Sequence, residues 1–217
     1  MRGELEACGF FVADAVGQKG KWKSLFEEPA PLHIELGCGK GGFMSVLAAR
    51  NQGINYVAVD MKDDMLGLAK RKIEKSYKES GILECRGIKN VLLTPYDIER
   101  IDSVFGAEDK AERIYINFCN PWPKKSQNKK RLTHTRQLIK YREFLADGGE
   151  IRFKTDDDGL FDDSVKYFEE SGYEITYITR DLHAENIPDN IVTEHEDMFS
   201  QMGIKIKYLT AIKKVSF

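Results

Sequence analysis

The chain has 217 residues, 41% of them hydrophobic and 31% charged, with a formal net charge of only −2. That length suits one domain with a full core, and no apolar run approaches the ~20 residues of a membrane span. The start Met1-Arg2-Gly3-Glu4 is no signal peptide, so a cytoplasmic protein is expected, and the overall charge does not announce a nucleic-acid binder.

In chain order, the first 30 residues read as an N-terminal arm. Phe10, Phe11, Val12, Ala15 and Val16 suggest a short helix, broken by Gly17 to Gly20. From residue 31 to 217 the pattern is that of one domain. Leu32 to Leu36 reads as a buried strand, Gly37 to Gly42 as a turn, and Phe43 to Ala48 as a helical face. Asn55 to Asp60 is a second strand, and a helix follows through Met65, Leu66, Ala69 and Ile73. Val91 to Thr94 is the third strand, with a short helix to Phe105, and Arg113 to Phe118 is the fourth. A basic loop leads to a helix through Leu138 and Leu145, a fifth strand over Gly149 to Thr155, and a helix over Leu160 to Ser171. Tyr173 to Ile178 and Lys205 to Ala211 are the last strands, around an irregular segment and a short helix near Glu194 to Met202. Such alternation predicts an α/β fold, a mostly parallel seven-stranded sheet with helices on both faces. Ligands of such sheets sit at the carboxyl ends of the strands.

Polar residues gather at those ends. The loop Gly37-Cys38-Gly39-Lys40-Gly41-Gly42 lets the backbone turn tightly and approach a ligand. A glycine loop alone also serves nicotinamide and flavin nucleotides. Glu35 stands directly before it, where it would repel a pyrophosphate and welcome an amine or a sulfonium, which favours S-adenosylmethionine. Asp60 is placed to accept from ribose hydroxyls, and Asp97 to meet an adenine amine. Taken alone, Asp60 reads equally as a cap of the following helix.

After the fourth strand, Pro121, Trp122 and Pro123 stiffen a loop that would hold the Asn120 carboxamide beside the cofactor. Eight basic residues from Lys124 to Arg142, with no acid until Glu143, form a local cluster. Such a cluster holds phosphates, or is a solvated loop. Cys8, Cys38, Cys85 and Cys119 show no paired spacing and read as reduced thiols, with Cys38 and Cys119 as packing residues. His183 and His195 lack metal-ligand spacing, and no metal is expected.

Five stretches together resemble the bacterial tRNA (guanine-N7-)-methyltransferases. They are His33 to Gly41, Tyr115 to Lys125, Lys130 to Thr133, Phe153 to Asp156 and Asn190 to Glu196. The resemblance implies a Rossmann-like class I methyltransferase fold and methyl transfer from S-adenosylmethionine, leaving S-adenosylhomocysteine, to N7 of a guanine in the tRNA variable loop. By the same resemblance Glu35, Asp60, Asp97 and Asn120 contact the cofactor, and Gly37 and Gly39 of the glycine loop are read as cofactor-binding beside them. Lys124, Asp156, Thr193, Glu194, His195 and Glu196 are implied in recognising tRNA or guanine. The partner is then tRNA, with no membrane and no obligate protein partner, as monomer or homodimer.

The family usually has Asp at the position of Asn120 and Tyr at that of His195. Guanine N7 carries a lone pair and no proton, so attack on the methyl group needs no general base. Asn120 is therefore read as the catalytic positioning residue, with charge supplied by Asp156, Glu194 and Glu196. The alternatives are methylation of an exocyclic amine, prompted by Asn120-Pro121, a catalytically silent tRNA-binding module, and a nicotinamide oxidoreductase from the glycine loop alone.

Overall fold

In the computed structural model, which describes residues 2–185, 187 and 190–214 with the side chains of residues 85 and 86 excepted, the apolar runs become seven strands. They are β1 (Leu32–Leu36), β2 (Asn55–Asp60), β3 (Val91–Pro95), β4 (Ala111–Asn117), β5 (Leu145–Thr155), β6 (Tyr173–Thr179) and β7 (Lys207–Lys213). They form one sheet in the order β3-β2-β1-β4-β5-β7-β6, parallel except for β7, which runs against both neighbours. Every residue of β1 is buried, as expected of a central parallel strand covered on both faces. The reading of Cys85 lies outside the described side chains.

Register places the functional ends side by side. Glu35 pairs with Ala58 of β2 and Tyr115 of β4, and Asn117 pairs with Lys154 of β5. The sheet order reverses between β1 and β4, where an open α/β sheet leaves a crevice.

The α-helices are α1 (Arg2–Glu6), α2 (Gly42–Arg50), α3 (Asp63–Glu79), α4 (Ile82–Arg86), α5 (Thr135–Phe144), α6 (Asp158–Glu170) and α7 (Glu194–Gln201), and short 3-10 helices lie at Val16–Gln18, Trp22–Leu25, Ile98–Ser103 and Lys125–Lys130. In α3, Leu66, Ala69, Ile73 and Tyr77 recur at helical spacing and are fully buried. Asp157 caps α6 by accepting from the Leu160 N–H at 2.6 Å, and Thr193 caps α7 by accepting from Glu196 N–H at 3.1 Å.

The N-terminal residues behave differently from the sequence expectation. Phe10 to Ala15 is not helical, and only a single 3-10 turn forms, at Val16–Gln18, with Gly17 inside it. Phe11 instead makes a parallel bridge to Leu93, with backbone bonds from Val12 N–H to Leu93 O and from Leu93 N–H to Phe10 O, both 2.8 Å. Tertiary pairing with β3 outweighs the local pattern. Leu5, Phe10, Trp22 and Phe26 join the main core. Asp109, 1% exposed, accepts from the N–H groups of Gly20, Trp22 and Gly106 and so ties this segment to the end of the β3–β4 connection.

Gly41 has φ +70, and a Cβ there would sit 2.7 Å from the Ala69 backbone. Close α2–α3 packing therefore requires glycine. Gly41→Ala is expected to cost about 2–4 kcal/mol in denaturant unfolding, from left-handed strain plus overpacking.

Candidate active site

Loop 37–42 is held from below by β2. The Gly37 and Cys38 N–H groups donate to Val59 O at 2.9 and 3.0 Å. Gly39 N–H donates to Asp60 Oδ2 at 2.9 Å, and Lys62 N–H donates to Asp60 Oδ1 at 3.0 Å. Asp60 therefore fixes the loop while each oxygen keeps capacity to accept from a ligand. Gly39 has φ +51 and no atom within 4 Å of where a Cβ would stand, so its backbone faces open space. Asp97 is exposed and caps the following turn by accepting from Glu99 N–H at 3.0 Å.

These residues line one cavity of about 440 Å³ together with Glu35, Asn120, Thr193, Glu194 and His195. Its charged lining is Glu35, Asp60, Asp97, Glu99 and Glu194 against Lys40, Lys62 and Lys130. The excess of carboxylates suits a cationic ligand. Glu35 is 2% exposed. Its Oε1 accepts from Asn117 Nδ2 at 3.2 Å, and its Oε2 is buried with no hydrogen-bond partner. Burial raises this carboxyl to about 7, the Asn117 hydrogen bond opposes the rise, and Asp60 adds to it. An ammonium reaching Oε2 would satisfy the orphaned acceptor, so the residues present fit the methionyl end of S-adenosylmethionine.

The opposite wall is the loop after β4. Phe118 and Trp122 both take left-handed backbone, at φ 51 and φ 44. Such conformations cost about 1–3 kcal/mol each and persist where the surroundings enforce them. The enforcement is visible. Phe118 N–H donates to Lys154 O at 2.9 Å, and Asn120 Oδ1 accepts from Trp122 N–H at 3.0 Å. Arg131, 5% exposed, donates to Pro121 O at 2.7 Å and pairs with Asp163 at 2.6 Å. Lys130 lies over the Trp122 ring at 4.9 Å, and Phe118, His195 and Phe199 stack with centroids 6.0 to 6.3 Å apart. Flat aromatic faces thus line the mouth.

Glu194 pairs with Lys72 of α3, whose hydrogen bond holds that carboxyl below its ordinary range. Glu196, two residues on, points the other way. It is 0% exposed, accepts from Lys154 Nζ at 3.0 Å and Asn190 Nδ2 at 2.6 Å, and meets His183 Nε2 at 2.9 Å. It does not line the cavity, and neither do Lys124 and Asp156. Cys38 and Cys119 do line it, with thiols raised by burial, Cys119 to about 12, so both stay protonated.

Sequence reasoning missed Lys72, which approaches from a helix whose pattern announces only packing. It placed Phe118 and Arg131 within the family-like stretches but gave neither a role of its own in the site.

The family model described as "Putative methyltransferase" matches residues 29–209. A tRNA (guanine-N(7)-)-methyltransferase of Ruminiclostridium cellulolyticum is 60% identical over 210 residues, covering 97% of this chain and 88% of that one. One from Clostridium perfringens strain 13 is 58% identical over 213 residues, covering 98% and 95%. Among solved structures, the 16S rRNA methyltransferase KamB aligns with a TM-score of 0.59 at 14% identity, covering 89% of this chain and 91% of that one. A Listeria monocytogenes protein described as a "putative S-adenosylmethionine dependent methyltransferase" aligns with a TM-score of 0.54 at 13% identity, covering 85% and 92%. At such identities these two likenesses speak for the fold, a Rossmann-like class I methyltransferase sheet.

Proposed function

Because this chain belongs to the tRNA (guanine-N(7)-)-methyltransferases, we propose that it transfers a methyl group from S-adenosylmethionine to N7 of a guanine in tRNA. The observation that carries this reading is the cavity at the strand ends, where two unlike walls face each other. One wall offers the orphaned Glu35 carboxylate and the Asp60-pinned glycine loop, and the other offers Phe118, Trp122 and His195 to a flat base.

The bound cofactor supplies an electrophilic methyl group on a sulfonium. Guanine N7 carries an in-plane lone pair and no proton, so the protein has no proton to remove first. Its work is to align N7 with the methyl carbon and to surround the ring with negative potential as positive charge moves onto it. In this proposal Glu35 holds the amine, Asp60 the ribose and Asp97 the adenine edge. The base stacks against the aromatic mouth, and Glu194 accepts from the guanine N1–H and exocyclic amine. Glu196, sealed against Lys154, acts by fixing the segment that carries Thr193, Glu194 and His195. Lys124 and Asp156, beyond the cavity lining, meet the surrounding tRNA, and the target lies in the variable loop.

Asn120 is proposed as a positioning residue. Its carboxamide oxygen closes the turn onto Trp122, a bond that an Asp would also make. Asn120→Asp is expected to keep kcat within about threefold or raise it through added negative potential, whereas Asn120→Ala should lower kcat roughly tenfold with little change in S-adenosylhomocysteine affinity. Single-turnover methylation of unmodified tRNA checks both.

The test of the function is mass spectrometry of digested tRNA after incubation with labelled S-adenosylmethionine. N7-methylguanosine at one variable-loop position is expected. N6-methyladenosine as product, or no incorporation with cofactor binding intact, would overturn the proposal.

A further inference from the structure

A second cavity, about 380 Å³, lies on the sheet face beside α2. It shares Phe43 and Asn117 with the first cavity, so the two are neighbours across those side chains. Its cationic lining is Arg50 at the end of α2, Arg113 on β4, and Arg152 and Lys154 on β5, and no Asp or Glu lines it among the described residues. Lys154 is neutralised by Glu196. Glu150, from the side, pairs with the Nε of both Arg113 and Arg152, at 2.6 and 2.9 Å. That leaves one carboxylate for three arginines, and Arg50 is exposed with no ion-pair partner among the described residues.

Tyr56 is fully buried on the lining, and its hydroxyl has no hydrogen-bond partner. The uncompensated charge is felt nearby. His33 is driven down to about 3, first by burial and then by Arg113 and Arg152, and stays neutral. A purely structural ion triad accounts for Arg113 and Glu150. It accounts neither for Arg50 nor for the orphaned hydroxyl.

We propose that this second cavity holds one phosphodiester of the bound tRNA, next to the nucleotide in the first cavity, with Arg50 and Arg152 as its ion partners and Tyr56 as a hydroxyl donor at its floor. The guanidinium fork matches phosphate geometry, and an oxygen seated at the floor supplies the acceptor that Tyr56 lacks. This proposal rests on the tRNA reading above.

The test is filter binding of an unmodified tRNA transcript to the full chain, saturated with S-adenosylhomocysteine, over a salt series. Arg50→Gln combined with Arg152→Gln is expected to weaken tRNA binding about 10–50-fold and to reduce the log–log salt slope by about one for each phosphate interaction removed. S-adenosylhomocysteine affinity should not change. Tyr56→Phe removes an unsatisfied buried group, so it is expected to raise Tm by about 1–3 °C while weakening tRNA binding roughly threefold or more. A packing role alone would not give those opposite signs. Wild-type tRNA affinity and salt slope in the double variant would overturn the site. So would a shift in its sedimentation coefficient with tRNA affinity unchanged, which would mark the face as an interface between copies of this chain. A wild-type chain that binds no tRNA overturns both readings. One that methylates tRNA while the double variant binds it equally well overturns the phosphate site alone.

Discussion

Glu35→Gln is expected to weaken S-adenosylhomocysteine binding by ~30–1000-fold, the equivalent of about 2–4 kcal/mol for a charged buried hydrogen bond. The wild-type carboxylate sits on the central strand with one oxygen held by Asn117 and the other orphaned. Glutamine keeps the shape but removes the charge that would meet the ligand's ammonium. The sign of the pH dependence follows from the burial that raises Glu35 to about 7. The folded value lies above the ordinary carboxylate value, so the free fold favours the protonated form. Its contribution to stability is present below that ordinary value and is lost as pH rises through about 7. With Glu35 in its proposed role, cofactor binding has the opposite preference, because a cationic amine needs the ionised form. Affinity should therefore be flat above pH ~7 and fall by up to about tenfold per unit below it, with proton release seen when calorimetry is repeated in two buffers. In the Gln variant that slope should vanish. A Gln variant binding S-adenosylhomocysteine as tightly as wild type would remove Glu35 from the cofactor site.

The second large effect is expected at Lys154→Met. The Lys154 side chain is 7% exposed and its partner Glu196 0%, so deleting the cation leaves a buried carboxylate with only the Asn190 amide and the His183 ring as partners. Breaking such a pair costs about 3–5 kcal/mol, and at roughly 2–4 °C per kcal/mol the Tm should fall by about 6–20 °C. Lys154 also donates to Asn190 and to Ile191 O, so the segment leading into α7 loosens with it. Methylation should fall much further than S-adenosylhomocysteine affinity, because the loosened segment carries Glu194 and His195 whereas the glycine loop is held by β2. Combining Lys154→Met with Glu196→Gln should recover part of the lost stability. Equal losses in the single and double variants would argue against the ion pair as the cause.

The strands were readable because each is a short apolar run closed by glycine, an acid or a turn. Glu35, Gly37, Gly39, Asp60, Asp97 and Asn120 were readable as neighbours because all lie at strand ends, and strand ends converge in a parallel sheet. Two things were not readable. Phe10 to Val12 joins the edge of β3, and nothing local marks a partner so distant in the chain. The carboxylates of Glu194 and Glu196 have the same chemistry in sequence. Two residues apart at a helix start they point to opposite sides, so one faces the cavity and the other is sealed against Lys154. Only the tertiary position of β5 decides which is which.

The pairing of Phe11 with Leu93 has a consequence for solubility rather than for catalysis. β3 is the outermost strand on its side of the sheet, and a bare row of backbone donors and acceptors there is a template for another molecule's strand. Residues 10–12 cover the middle of that row at Leu93 and Thr94, and their apolar side chains pack on the main core. Substitutions that dislodge this segment should thus announce themselves first as concentration-dependent aggregation, while a chain kept dilute retains its cofactor site.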